Sequence, residues 1–346
     1  MSGIAMSWQS ISVCIVLALL TGLLSYFSSG QAMAMAKKAG MMAQPGSRQS
    51  HQVATPAGGG LGLMFSIVVM SIMLQYLYPL SGFWWQKMLP GVLVLALIGW
   101  RDDKHHVSSF VRLLVQLAVS LWLLGFGWLQ FSVHETVIYA GTVLAMVWMM
   151  NLYNFMDGSN GMAGFQGVFA GVMFSILFYR GDQQAMAILS LIVAAACAGF
   201  LPLNFPHARV FMGDVASVPL GFIFASLAAY GLHSGTFAWP TAILIMSVFI
   251  VDATLTLLAR AIRGERWYTA HAQHIYQRLI AQGWSHSRVL MVYQSINVML
   301  VLPAIVLVEI YSHYAKVTAG FVLLMLGSCW LIANRRLGMF AKEQVT

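Results

Sequence analysis

Eleven apolar runs, most of them near the length of a bilayer-crossing helix, leave this chain few folds to choose from. They fall near residues 10–29, 59–78, 88–101, 112–130, 136–151, 163–179, 185–203, 215–232, 239–260, 290–311 and 315–333. A helix needs roughly 20 apolar residues to cross the hydrocarbon core. The third and fifth runs are short, so ten spans is the alternative count. Backbone in lipid must satisfy its own hydrogen bonds, which leaves helices or closed barrels, and the alternation of a membrane barrel strand is absent. Only 8% of the residues are charged, against about a quarter in soluble domains. The expectation is an all-α polytopic membrane protein, a single integral-membrane domain over residues 1–346.

Lys and Arg in the loops set the orientation. With the N-terminus outside, the cytoplasmic side holds Lys37, Lys38, Arg48, Arg101, Lys104, Arg112, Arg209, Arg260, Arg263, Arg266, Arg278, Arg288, Arg335, Arg336 and Lys342. The outer side holds only Lys87, Arg180 and Lys316. Fifteen cations against three put the C-terminus in the cytoplasm, and the asymmetry would scramble if one middle span were dropped. The net charge of +8 is thereby explained by topology, with no need for nucleic acid. No Lys or Arg precedes the first run, so it lacks the basic start of a signal peptide and is expected to stay as a span. Cys14, Cys197 and Cys329 lie inside apolar runs without zinc spacing and read as small core residues.

The acids follow the same map. Asp102 and Asp103 end the third span, Asp157 follows the fifth and Asp214 opens the eighth, all on the cytoplasmic side. The cytoplasmic loops lie near 30–58, 101–111, 152–162, 204–214 and 261–289. Chemistry is therefore expected at the cytoplasmic face.

Several polar constellations carry that chemistry, each with a plainer alternative. Asp102 and Asp103, with Arg101, Lys104 and Arg112 nearby, are either a salt-bridged helix end or a coupled acid–base or metal pair. In residues 151–161 a polar side chain recurs every third position, at Asn151, Asn154, Asp157 and Asn160, with Gly158 and Gly161 breaking the helix. Capping explains the glycines. The oxygens suit a hard cation such as Mg²⁺, which binds one or two carboxylates plus substrate phosphates. Asp214 with Ser217 resembles a helix cap in outline. The loop with Arg260, Arg263, Arg266, His271, His274 and Arg278 is a positive-inside loop or a diphosphate clamp. If 268–281 is helical, His271, His274 and Arg278 share a face. Gly58, Gly59 and Gly60 permit close helix packing or backbone approach to a ligand. Asp252 lies eight residues before Arg260, roughly 12 Å into its helix. It is a functional candidate or a structural pairing.

Taken together, Pro56-Ala57-Gly58-Gly59, Asp102-Asp103-Lys104, Asn151–Gly161, Phe211–Ser217, Asp252 and the His271/His274 loop resemble, in order, the polyprenyl-phosphate N-acetylhexosamine-1-phosphate transferase family (glycosyltransferase family 4). Gly264-Glu265-Arg266 and His271-Ala272-Gln273-His274 look most like the branch that initiates O-antigen or related surface polysaccharide. Asn160 stands where many members have Asp, Ala216 where Gly is common, and Phe249 where Pro often precedes the acid by three.

The resemblance implies transfer of N-acetylhexosamine-1-phosphate from a UDP-sugar to polyprenyl (undecaprenyl) phosphate, releasing UMP, in the bacterial inner membrane. It implies Mg²⁺, with Mn²⁺ as a substitute, held principally by Asp214. Asp102 or Asp103 would act on the lipid phosphate or assist the metal. Asn154 and Asp157, with Asn151, Asn160 and Gly59, would position nucleotide or phosphate. Arg266, His271 and His274 would clamp the diphosphate. A homodimer is left open. A transporter with a cytoplasmic-facing acidic site is the rival reading, disfavoured because only Asp252 lies deep and no internal repeat is evident.

Overall fold

The computed structural model describes residues 8–43, 54–77, 82–125, 132–266 and 271–338. Arg48, Lys342 and the 126–130 end of the fourth expected span lie outside the described residues. The helices are α1 (Trp8–Lys38), α2 (Gly60–Leu77), α3 (Gly82–His105), α4 (Ser109–Leu124), α5 (Val133–Phe155), α6 (Met162–Arg180), α7 (Gln184–Asn204), α8 (Asp214–His233) and α9 (Trp239–Ile262). They are followed by the short α10 (Ile275–Ala281), by α11 (His286–Ile296), which passes through a π-turn (Asn297–Val301) into α12 (Leu302–Ile310), and by α13 (Ala315–Arg336). The all-α polytopic architecture is the expected one. Among the described residues nine helices are long and apolar enough to cross a membrane, the α11–α12 unit counting once. The 24-residue α3 occupies the third run and the 16-residue α4 the fourth.

Helix ends differ from the apolar runs for a physical reason. The first run stops near residue 29, whereas α1 continues to Lys38 through Gln-Ala-Met-Ala-Met-Ala-Lys-Lys. These side chains are strong helix formers, so the helix outlasts its hydrophobicity. The same holds for α3, whose charged last turn carries Arg101 to His105.

Helix α8 is the axis of the bundle. It is apolar all round, its residues Val215 to Leu227 are buried without a break, and α2, α3, α5, α6 and α9 pack against it. Helix α1 lies across α2 and α7. Small residues set those crossings: a Cβ on Gly199 would collide with the backbone of Gly22, and one on Gly62 with Ser28 and Ser29. Serines weld the same contacts, Ser25 donating to the Ala196 carbonyl (2.7 Å) and Ser28 to that of Gly62 (2.9 Å).

The one strand pair among the described residues, β1 (Met42–Ala43) with β2 (Thr55–Pro56), closes the α1–α2 connection. That connection is stitched to the loop before α8. Phe211 N–H donates to Pro56 O (2.9 Å), Gly59 N–H to Phe211 O (2.9 Å) and Gly60 N–H to Met212 O (3.0 Å). The start of α8 is thus held from one side by backbone alone.

Candidate active site

Three chain segments bring their carboxylates to the N-terminus of α8. Asp103, in the last turn of α3, accepts the Asp214 N–H on Oδ1 (2.9 Å) and the Val215 N–H on Oδ2 (3.2 Å). A carboxylate there satisfies two otherwise orphan amides and complements the helix dipole. The approach requires glycine at 213: its φ is +75°, and a Cβ would run into the Asp103 carboxylate. Asp214 is the first residue of α8, capped by its neighbour helix rather than by Ser217. The Ser217 hydroxyl instead donates to Asn154 Oδ1 (2.7 Å).

Asp102 points the other way. Its Oδ1 accepts the Val107 N–H (2.6 Å), and its Oδ2 lies 2.7 Å from Arg112 Nη1. The same Nη1 lies 2.9 Å from Asp214 Oδ2. Ser108 caps α4 and places Arg112 in its first turn. In sequence Arg112 was only a neighbour of the acidic pair; nothing local marks it as the bridge to a residue 102 positions away.

Asp157 stands on the turn between α5 and α6, its carboxylate facing the Gly213 N–H. Burial, then the charges of Asp214 and Asp103, push it well above the usual carboxylate range. The turn is tied down on every side. Gly161 N–H donates to Asn204 Oδ1 (2.7 Å), and Asn204 Nδ2 donates to Val210 O (3.0 Å), linking it to the loop before α8. Ser159 Oγ lies 2.9 Å from His286 Nδ1 at the start of α11. The Tyr276 phenol donates to Phe155 O (2.8 Å) and accepts the Gly158 N–H.

The regularly spaced asparagines have separate partners. Asn151 Nδ2 donates to Gln116 Oε1 (2.7 Å) and Val147 O (2.8 Å), joining α5 to α4. Asn154 joins α5 to α8. Asn160 Nδ2 donates to Pro206 O (3.0 Å). Of the four, Asp157 faces the other carboxylates. Gly59 is buried under Val210 and Phe211, where its N–H supports the loop before α8.

The basic loop is organised differently from a helical face. Among the described residues of 268–281 only 275–281 is helical, so His271 lies before the helix and His274 at its cap, while Arg278 turns toward α13, donating to Asn334 Oδ1 (3.1 Å) and Leu337 O (2.5 Å). Residues 267–270 lie outside the described residues. Glu265 pairs with both Arg260 (2.8 Å) and Arg263 (2.8 Å), and Arg266 is exposed. Burial is the first cause that pulls His274 down to about 4 and His271 down to about 3, with Arg260 adding repulsion to each. Both imidazoles are neutral at physiological pH. The His274 ring stacks on Phe155 (6.1 Å) and Tyr276 (5.9 Å), which docks the loop on the Asp157 turn.

Four carboxylates here meet one guanidinium. Both oxygens of Asp102 and of Asp103 are already engaged. Among the described residues no three His, Cys, Asp or Glu side chains converge as a closed metal site. Magnesium does not need one, since it takes one or two carboxylates and fills its shell with water and substrate phosphate. The mutual repulsion of Asp157, Asp214 and Asp103, which one guanidinium only partly offsets, fits such an ion.

A family model described as glycosyl transferase family 4 matches residues 85–232, the stretch that carries all four carboxylates. The chain is 30% identical to a probable undecaprenyl-phosphate N-acetylglucosaminyl 1-phosphate transferase of Bacillus subtilis over 79% of each chain. It is 28% identical to a decaprenyl-phosphate N-acetylglucosaminephosphotransferase of Mycobacterium tuberculosis, over 79% of this chain and 77% of the relative. An undecaprenyl-phosphate alpha-N-acetylglucosaminyl 1-phosphate transferase of Escherichia coli is 26% identical, with 84% and 83% covered.

Proposed function

Since this chain belongs to the polyprenyl-phosphate N-acetylhexosamine-1-phosphate transferases of glycosyl transferase family 4, we propose that it transfers N-acetylhexosamine-1-phosphate from a UDP-sugar to polyprenyl phosphate. The products are the polyprenyl-diphosphate sugar and UMP, and the reaction initiates an O-antigen or related surface polysaccharide. It takes place at the cytoplasmic face of the bacterial inner membrane. The observation that carries this reading is the convergence of Asp102, Asp103, Asp157 and Asp214 on the start of α8, with Arg112 between two of them.

The chemistry asks for what that arrangement can give. A phosphate oxygen of the lipid attacks the sugar-linked phosphorus, the bond to the UMP oxygen breaks, and UMP leaves with the electron pair. Both reactants are anionic at that centre, so catalysis consists of positioning and of offsetting charge. Asp214 and Asp157 would hold Mg²⁺, or Mn²⁺ in its place, because the two carboxylates face one another and share only the single Arg112 contact made by Asp214. When bound, the ion would offset charge on the diphosphate and the leaving UMP. Asp103 keeps Asp214 in place by fixing the first two amides of α8. Arg112, held by Asp102, presents a fork suited to a phosphate oxygen. Arg266, exposed in the basic loop, would meet the donor diphosphate. The neutral His271 and His274 shape and dock that loop and can offer it hydrogen bonds but not charge.

The test is purified protein with undecaprenyl phosphate, Mg²⁺ and a panel of UDP-N-acetylhexosamines. Lipid-dependent UMP release with at least one sugar supports the reading. No UMP with any of them, from protein that is folded and monodisperse, refutes it.

A further inference from the structure

Asp252 lies in α9, 4% exposed, with its oxygens committed to protein partners. Oδ1 accepts the Ile275 N–H (3.1 Å) and the Thr256 hydroxyl (3.2 Å), and Oδ2 accepts the Tyr293 phenol (2.6 Å). None of these bonds belongs to the carboxylate cluster. The Ile275 N–H is the first amide of α10, so a buried carboxylate on it fixes where that helix begins.

One residue further stands Tyr276, fully buried. Its phenol bonds the Phe155 carbonyl and the Gly158 amide, the peptide groups on either side of Met156 and Asp157. A Cβ at Gly158 would collide with the Tyr276 hydroxyl, so the contact is close-fitting as well as hydrogen-bonded. The turn needs such a clamp. Its own bonds are few, Asp157 N–H to Asn154 O (3.1 Å) and Met162 N–H to Ser159 O (3.0 Å) among them. It must also hold a carboxylate against the like charges of Asp214 and Asp103. A phenol can do this without adding a cation that would pair with Asp157 and withdraw it from substrate.

We propose that Tyr276 is a positioning residue for Asp157, and that Asp252, inside the bundle, sets Tyr276 by fixing the start of α10. The inference rests on the transferase reading above, in which Asp157 acts at the reacting phosphates. It makes Asp252 a support for the site and not a group that touches substrate.

The experiment is steady-state kinetics on purified wild type, Tyr276→Phe and Asp252→Asn, with hydrogen–deuterium exchange over residues 154–162. Phenylalanine keeps the stack on His274 and removes only the hydroxyl. The expected result is a fall in kcat of about tenfold to a hundredfold, with the donor KM within about threefold of wild type and faster exchange at 156–160. A wild-type kcat in Tyr276→Phe, a loss confined to KM, or unchanged exchange overturns the proposal. If Tyr276→Phe does not fold, Asp252→Asn is read by the same three criteria. If wild type itself releases no UMP, the transferase reading fails instead, and the exchange arm still decides whether the phenol clamps the turn.

Discussion

Arg112 Nη1 lies 2.7 Å from Asp102 Oδ2 and 2.9 Å from Asp214 Oδ2, so one guanidinium nitrogen on α4 joins carboxylates from α3 and α8. The bridge sets the spacing of the two helix ends and offsets part of their repulsion. Arg112→Ala should lower kcat by about a hundredfold or more, the usual loss when one donor to a developing anion is removed. Arg112→Lys should recover only part of it, because an ammonium lacks the planar fork. Kinetics of the two variants at matched protein stability check this; equal activity in Lys and Arg would assign the residue a charge-only role.

Gly213→Ala should be damaging although it adds one methyl group. The position combines φ of +75° with direct contact on the Asp103 carboxylate. A non-glycine residue at this positive φ with ψ of 171° costs about 1–3 kcal/mol, and the clash forces Asp103 off the Asp214 and Val215 amides as well. A lowered melting temperature together with lost activity is expected. A variant as stable and active as wild type would show that the Asp103 cap is dispensable.

Asn204 is a residue whose importance shows only in three dimensions. It sits at the end of α7, 4% exposed, and its amide joins the Gly161 N–H to the Val210 carbonyl. Asn204→Ala would strand two buried backbone groups, at a cost of about 1–3 kcal/mol each, and uncouple the Asp157 turn from the loop before Asp214. Thermal unfolding in detergent measures the loss. Asn204→Asp should rescue less than half of it, since a carboxylate keeps the Gly161 bond and cannot donate to Val210.

His274 gives a pH dependence of definite sign. Its native value, about 4, lies below the ordinary 6.5. The groups around it are His271 (rings 4.9 Å apart), Arg260 and the Asp252 backbone carbonyl, in a pocket closed by Phe155 and Tyr276. As pH falls below 6.5 the unfolded chain takes a proton that the native site refuses. The stabilisation from neutral His274 is therefore complete above about 6.5 and is lost as pH falls toward about 4. The melting temperature of wild type should drop across that window more steeply than that of His274→Phe, which keeps the stack. Parallel curves for the two proteins would mean that His274 does not contribute.

Much of the fold was legible because hydrophobicity is a local property. The apolar runs correspond to the helices, and the errors lie at ends such as Gly30 to Lys38 of α1, where helix propensity continues after hydrophobicity stops. The acids at 102, 103, 157 and 214 were legible as one site because a membrane confines polar groups to helix ends. What joins them was not. Arg112 to Asp214, Asn204 to Gly161 and Tyr276 to Phe155 are pairings across 102, 43 and 121 residues, and such pairings leave no trace in spacing or composition. The even spacing of Asn151, Asn154, Asp157 and Asn160 does not show that three of them tie α5 and its following turn to separate elements. The histidines suggested charge, whereas burial, a property of the fold and not of spacing, pulls both below the ordinary imidazole range.

The central claim is that the sugar moves together with its phosphate. A donor UDP-N-acetylhexosamine labelled in both the sugar and the sugar-linked phosphorus, incubated with undecaprenyl phosphate, Mg²⁺ and purified protein, tests it directly. Both labels should pass into the organic-phase lipid in equal amounts, with one UMP released for each, and Asp214→Ala should abolish the transfer. Sugar reaching the lipid while the labelled phosphorus stays in water-soluble UDP, or neither label moving, would contradict the account.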